Sequence, residues 1–328
     1  MKNSSDIRKE NKKSIYRLML DGKQYTKQQA AAGTGLSVAT CNTLLNDLQL
    51  QGIVSGEKRQ LGEVGRSSVL YRIREEHESY LAIRFDIEHG DRIVECIVLS
   101  ALGRMLYQRK KKYKSIHYGQ MEELIEEVMG QHLNVSRMIV GIPGIVENGS
   151  VKYSDIPELE NVSLKAELKK RFGTAVLLEN DMHCMAYGYC RKTNTENDVI
   201  TLACYPSHIL PGTVTIHNGK VIRGANGIAG MAGFLPYNVS REEQLEMLAP
   251  GTCIPFIAKS LCAIIVFLNP GTIVLTGDLI NEETLQGVKE ICAVDIPPEY
   301  MPQFRVVDDF NEYYYEGMYQ LAVDRKEL

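Results

Sequence analysis

The stretch from Tyr25 to Val54, YTKQQAAAGTGLSVATCNTLLNDLQLQGIV, constrains the fold most. It reads as two helices joined by a short turn. Thr26 with Gln29 three residues later makes an S/T-x-x-E/Q capping box for the first helix, Gln28 to Ala32. Gly33-Thr34-Gly35 breaks that helix, because glycine tolerates the backbone angles of a tight turn. Leu36 pins the turn to a core, and Ser37 caps the second helix. In that helix Cys41, Leu44, Leu45 and Leu48 recur at i, i+3, i+4 and i+7, one buried stripe. The opposite face carries Val38, Thr40, Asn42, Thr43 and Asn46, short groups that meet phosphates or base edges without bulk. With the caps Thr26 and Ser37 they form the candidate DNA-contacting set of a helix-turn-helix whose second helix enters the major groove. The alternative is an ordinary helical hairpin with solvated polar residues.

The segment after Gln51-Gly52 favours the helix-turn-helix. Ile53-Val54-Ser55 and Val69 to Ile73 read as paired strands around GEKRQLGEVGRSS, which holds Lys58, Arg59 and Arg66. A hairpin with a basic tip behind such a helix is a wing that reaches phosphates or the minor groove. Residues 1–74 carry 13 Lys and Arg against 6 Asp and Glu, a charge of +7, while 75–328 carry 24 against 35, a charge of −11. A basic head on an acidic body is the footprint of a small nucleic-acid module fused to something else. A first helix from Ser5 to Leu20, packing through Ile15, Leu18 and Met19, completes the head. Arg74-Glu75-Glu76-His77-Glu78 is expected to be a polar linker.

The 328 residues are enough for two or three domains. No apolar run approaches the roughly 18 residues of a membrane span, and MKNSSDIRKENKK has no apolar core of a signal peptide. Eight scattered cysteines without C-x-x-C fit reduced thiols, so a cytoplasmic protein is expected.

From Tyr80 the pattern is α/β. Strands at 80–87, 92–99 and from 105, a helix at 119–129 and a strand at 137–140 give a βββαβ order, the opening of an actin-like or sugar-kinase-like domain. Five pieces in order then resemble the ROK family of repressors, open reading frames and sugar kinases: 80–107 its first phosphate hairpin; GIPGIVENGSV, 141–151, its G-x-P-G segment; 159–188 its substrate strand and E-N-D helix start; HNGKVIRGANGIAGMAGFLP, 217–236, its glycine-rich stretch; and LNPGTIVLTGDLI, 268–280, its adenosine-side strand. The resemblance implies a winged helix-turn-helix (1–74) and a two-lobed α/β actin-like domain (75–328). Its lobes would span about 79–183 and 184–310, with a C-terminal helix returning to the first.

The departures bear on activity. Where the family's kinases read D-x-G-G-T-K, this chain has Asp86-Ile87-Glu88-His89-Gly90-Asp91, and its carboxylates repel a phosphate. The second glycine-rich phosphate loop is replaced by Cys204 to Gly212, with two prolines that donate nothing. Met231 stands for the sugar-binding glutamate and Phe234 for the zinc-ligating histidine, and the family's cysteine cluster is missing. Cys253 and Cys262 read as buried thiols. Asp181 matches the catalytic base as a vestige, so no catalytic residue, cofactor or metal is expected. Gly144, Asn161, Asn180 and Asp181 keep the family's sugar side and are the candidate effector contacts; alternatively Glu179-Asn180-Asp181 is only a helix cap. The helix from Ile254 to Phe267 is expected to be buried all round, and the tyrosine-rich stretch 309–323 to be core or dimer surface. The expected protein is a duplex-DNA-binding repressor, a homodimer or higher homo-oligomer outside the membrane, with a sugar-like effector. The rivals are an active sugar kinase with a fused head and a regulator that senses nothing.

Overall fold

The computed structural model describes residues 4–60, 68–88, 90–131, 134–195 and 198–324. Helices α1 (Ser4–Met19), α2 (Lys27–Thr34) and α3 (Val38–Leu50) precede an antiparallel hairpin of β1 (Val54–Arg59) and β2 (Ser68–Ile73). The local chemistry explains the helix ends. Thr26 and Gln29 cap α2 reciprocally, and Gly35 closes it in the left-handed region at φ 70°. Ser37 accepts the Thr40 N–H at 3.1 Å to start α3. Cys41, Leu44, Leu45 and Leu48 are buried against Ile15, Tyr16 and Met19 of α1. Arg66 lies outside the described residues.

The body contains two five-stranded sheets. The first comprises β3 (Ser79–Glu88), β4 (Asp91–Ser100) and β5 (Met105–Tyr113), then α4 (Tyr118–Gln131) and β6 (Val135–Ile142). A small hairpin of β7 (Gly144–Glu147) and β8 (Ser150–Ser154) follows, then α5 (Leu164–Phe172) and β9 (Ala175–Asn180). The strand order is β5-β4-β3-β6-β9. Helix α6 (Asp181–Thr193) crosses to the second lobe of β10 (Val199–Cys204), β11 (Gly212–His217), β12 (Lys220–Val221), α7 (Arg241–Met247), α8 (Ile254–Leu268), β13 (Thr272–Thr276), α9 (Glu282–Asp295) and β14 (Gln303–Val306). Its order, β12-β11-β10-β13-β14, repeats the first. In each sheet the first strand pairs antiparallel with the second and parallel with the fourth. This duplicated mixed-sheet architecture is the two-lobed α/β arrangement expected from the sequence. The edge strand β5 carries Arg109, Lys110, Lys111 and Lys112, charge that discourages pairing with another chain.

Helix α10 (Asn311–Asp324) returns to the first lobe and packs on α6. Tyr314, Met318 and Tyr319 are buried, so the aromatic stripe is core. The two helices touch backbone to backbone: a Cβ on Gly188 would lie 1.8 Å from the Tyr313 carbonyl, and one on Gly317 1.8 Å from that of Cys184.

Two expectations need correction. The stretch 74–78 is no free linker. Glu78 is buried and accepts hydrogen bonds from Tyr16 of α1 (2.8 Å), Tyr80 of β3 (2.7 Å) and Ser136 of β6 (3.0 Å). A carboxylate taken from water must be satisfied in this way. One apolar cluster runs from Ile15 and Leu45 in the head to Ile97, Leu99 and Tyr319 in the body. Ile15→Ala is therefore expected to cost about 2–5 kcal/mol and to destabilise head and first lobe in one transition. Separate thermal transitions of the two parts in calorimetry would contradict this. Helix α8, in turn, is not buried all round. Only its inner face meets the sheet and α9; Val266 and Phe267 in its last turn are 67% and 84% exposed.

Candidate functional site

Between the lobes lies a cavity of about 260 Å³. The first lobe contributes Phe85, Asp86, Ile87, Gly144, Tyr153 and Asp155; the second contributes Ile209, Leu210, Gly212, Met231, Phe234 and Arg241. Asn180 and Asp181, where β9 becomes α6, form part of its wall. A second, more polar compartment of about 410 Å³ shares Gly144, Asn180, Met182, Gly212 and Met231. It adds the glycine-rich loop from Arg223 to Gly227.

Three of the four expected effector residues meet here. Asn180 caps α6 by accepting the His183 N–H (3.0 Å) and donates to the Gly144 carbonyl (2.7 Å). Its amide therefore ties the β7 hairpin to α6. Gly144 has φ 153°, and a Cβ there would sit 2.1 Å from the Tyr153 carbonyl, so no side chain fits. Asp181 accepts the Met182 N–H at 2.7 Å and faces the cavity. Asn161 does not join them. It is exposed in a left-handed turn at φ 60°, with its N–H on the Val151 carbonyl. An asparagine adopts this turn readily, which accounts for the residue type without a ligand.

The electrostatics are uneven. Burial, with Asp155 and Asp86 nearby, raises the Asp181 carboxyl from its usual 3.8 to about 7. Burial also raises the Asp155 carboxyl, against the pull of Arg241. Burial opposes ionisation of Glu179 as well, but His183 and a bidentate Arg223 (2.6 and 2.8 Å) bring its pKa down to about 2. A carboxyl raised on folding costs stability above its folded pKa and nothing below its unfolded one. Asp181→Asn is therefore expected to stabilise the protein by ~1–3 kcal/mol at about pH 8, allowing for solvent in the cleft, with the gain vanishing near about pH 4. Chemical denaturation at both pH values measures it; an equal effect at both would contradict the assignment.

The two loops expected to cradle phosphate are bonded to neighbouring parts of the chain. Glu88 and Asp91 pair across the β3–β4 turn; Lys110 holds Glu88 at 3.0 Å, and Lys112 and Lys114 hold Asp91 at 3.1 and 2.7 Å. In the 204–212 loop the Ser207 N–H and hydroxyl bind Asp278 at 2.7 and 2.6 Å, and the His208 N–H binds the Leu248 carbonyl at 2.8 Å. Ile209 and Leu210 line the cavity.

Sequence reasoning missed the bridge over the cavity. Phe234, half-exposed, meets the ring of Tyr153 at 5.9 Å across the lobes. The Arg241 guanidinium lies over both rings, at 5.7 Å from Tyr153 and 5.1 Å from Phe234, and donates to the Tyr153 hydroxyl at 2.8 Å. Tyr153 and Arg241 belong to no motif; only their fold position brings them together. Among the described residues no group of three or more His, Cys, Asp or Glu is arranged to hold a metal ion.

On the head, Val38, Thr43 and Asn46 are exposed along one face of α3, and Lys58 and Arg59 are exposed on β1. Thr40 and Asn42 are half-buried. Thr26 and Ser37 spend their hydroxyls as caps, and Ser37 also meets the Thr40 hydroxyl at 2.8 Å. Lys27, absent from the expected set, donates to Asn42, and Tyr71 donates to Asn46 at 3.3 Å. None of the described helices is long and apolar enough to cross a membrane.

Comparison with known proteins gives the family. The chain is 22% identical over 251 residues to a xylose repressor of Caldicellulosiruptor bescii, covering 73% of this chain and 61% of that one. The chain thus spans about three fifths of that relative's length. It is 30% identical over 117 residues to an N-acetyl-D-glucosamine kinase of Vibrio cholerae, covering 34% of this chain and 37% of the kinase. Among solved structures, a ROK family transcriptional regulator described as a homologue of the E. coli Mlc protein matches at TM-score 0.68 and 15% identity, over 98% of this chain and 100% of that one. The model of the ROK family matches residues 84–254, just over half of the chain, and the chain belongs to that family.

Proposed function

We propose that this chain is a DNA-binding transcriptional regulator, acting as a repressor, whose ROK domain binds a small sugar-like effector and transfers no phosphate. Residues 1–74 would be a winged helix-turn-helix and 75–328 the effector domain. The observation that carries the reading is the pairing of a capped helix pair, with a polar outer face and a basic hairpin, to a kinase-like cleft whose loops are self-occupied. Donors that would cradle a nucleotide phosphate are used by Asp278 and Leu248, and carboxylates stand in the first loop. Phe234 in place of a histidine, and the lack of a cysteine cluster, support a protein without structural zinc. Repressor-named relatives support the regulator over the kinase, and the +7 head supports duplex DNA as partner.

The effector would sit against Gly144 and Asp181, with Asn180 holding the pocket wall. Met231, Phe234 and Tyr153 make this cavity more apolar than one built for a bare hexose, so a sugar carrying an apolar substituent fits best. Lobe closure over the Tyr153–Arg241–Phe234 bridge would then shift the heads of a homodimer. The exposed apolar side chains of α8 and α9, Val266, Phe267, Ile291 and Val294, supply the surface for that second copy. A thermal-shift screen of D-xylose, N-acetyl-D-glucosamine and acylated sugars on wild type and Asp181→Ala tests the site. A ligand is expected to stabilise wild type by several degrees and the variant hardly at all; equal stabilisation of both would place the site elsewhere.

A further inference from the structure

Cys262 on α8 and Cys292 on α9 lie with their sulfur atoms 3.2 Å apart, 30 residues apart in sequence. Both are free thiols. We propose that Cys262 and Cys292 are a reversible oxidation site, closing to a disulfide that clamps α8 to α9.

The geometry gives each thiol a different role. Cys262 is half-buried, so a small oxidant reaches it; Cys292 is buried and donates toward the Ala258 carbonyl. Burial and the neighbouring Cys262 push the Cys292 thiol up to about 12, so it is the poorer first nucleophile. With a hydroperoxide as oxidant, the Cys262 thiolate attacks the peroxide oxygen, giving a sulfenic acid and, for hydrogen peroxide, water. The Cys292 sulfur then displaces the sulfenic hydroxyl, which leaves as a second water with the Cys292 proton. Two thiols lose two electrons and one peroxide gains them. Bond formation brings the sulfurs to about 2.05 Å, a shift of roughly 1.2 Å. Two packed helices can make that shift without unfolding. The cross-link encloses β13 and the 277–280 turn that carries Asp278, the partner of Ser207 at the cleft loop. It also borders exposed Val266 and Val294. Oxidation would therefore stiffen the second lobe beside both features.

The test uses the full chain, independently of DNA or effector binding. Native protein is titrated with hydrogen peroxide or diamide, remaining thiols are blocked with N-ethylmaleimide, and tryptic peptides are analysed by mass spectrometry. Cleavage after Lys259, Lys289 and Arg305 places the two cysteines in separate peptides, 260–289 and 290–305. The expected product is those two peptides joined, before any other cysteine oxidises, and released by dithiothreitol. Cys262→Ser should abolish it, and Cys253→Ser should leave it unchanged. Cys262 ending as sulfinic acid, paired with a different cysteine, or still alkylated once other thiols have reacted would overturn the proposal.

Discussion

ATP-dependent phosphorylation of glucose, xylose or N-acetyl-D-glucosamine is expected to be indistinguishable from the rate without protein. A kinase of this architecture works almost entirely by positioning and neutralising transferring phosphate. Here the first loop offers Glu88 and Asp91, each held in place by lysines of the edge strand and its extension. The second loop offers prolines, and N–H groups already bonded to Asp278 and Leu248. Asp181, raised to about 7, could still take a proton from a hydroxyl, yet a base without a phosphate cradle gives no transfer. A coupled assay with millimolar ATP, magnesium and each sugar decides it. Turnover that disappears in Asp181→Ala would show that the loops rearrange into a working nucleotide site.

Duplex binding is the second large effect. Thr43→Ala and Asn46→Ala remove exposed polar groups from the outer face of α3. Each is expected to weaken specific binding by about 1–3 kcal/mol, roughly 5- to 150-fold, and to relax sequence preference. Lys58→Ala with Arg59→Ala should weaken binding to all sequences and reduce the salt slope by up to about 2. Lys27→Ala should resemble Asn42→Ala, because Lys27 orients that amide. Competition binding with an operator and a scrambled duplex distinguishes the classes. A loss equal for both duplexes in the α3 variants would mean that this face meets only phosphate.

Much of this architecture could be read from local signals. The capping box, Gly35 and the i, i+3, i+4, i+7 stripe each act within a few residues, and each appears where expected. The βββαβ opening could also be read, since its central strands are buried on both faces and form near-continuous apolar runs. What could not be read depends on contacts distant in sequence. Glu78 looks like linker until Tyr16 and Ser136 are seen to satisfy it. The outer face of α8 looks like core because the helix is apolar at nearly every position, and composition says nothing about how far a helix projects. In the cleft, motif order located Gly144, Asn180 and Asp181. It could not show that Asn161 serves a turn, nor that Tyr153 and Arg241 close over the cavity from opposite lobes.

The central claim is that the basic head grips duplex DNA, and a salt titration of the full chain tests it most directly. The full chain is required because the head shares its core with the first lobe. Fluorescence anisotropy would follow a labelled duplex from upstream of the protein's own gene, with a scrambled duplex as competitor. The account predicts a linear fall of log affinity with log salt, from counterion release, and at least about a thousandfold preference over scrambled DNA near physiological salt. No measurable binding to either duplex at low salt would contradict it.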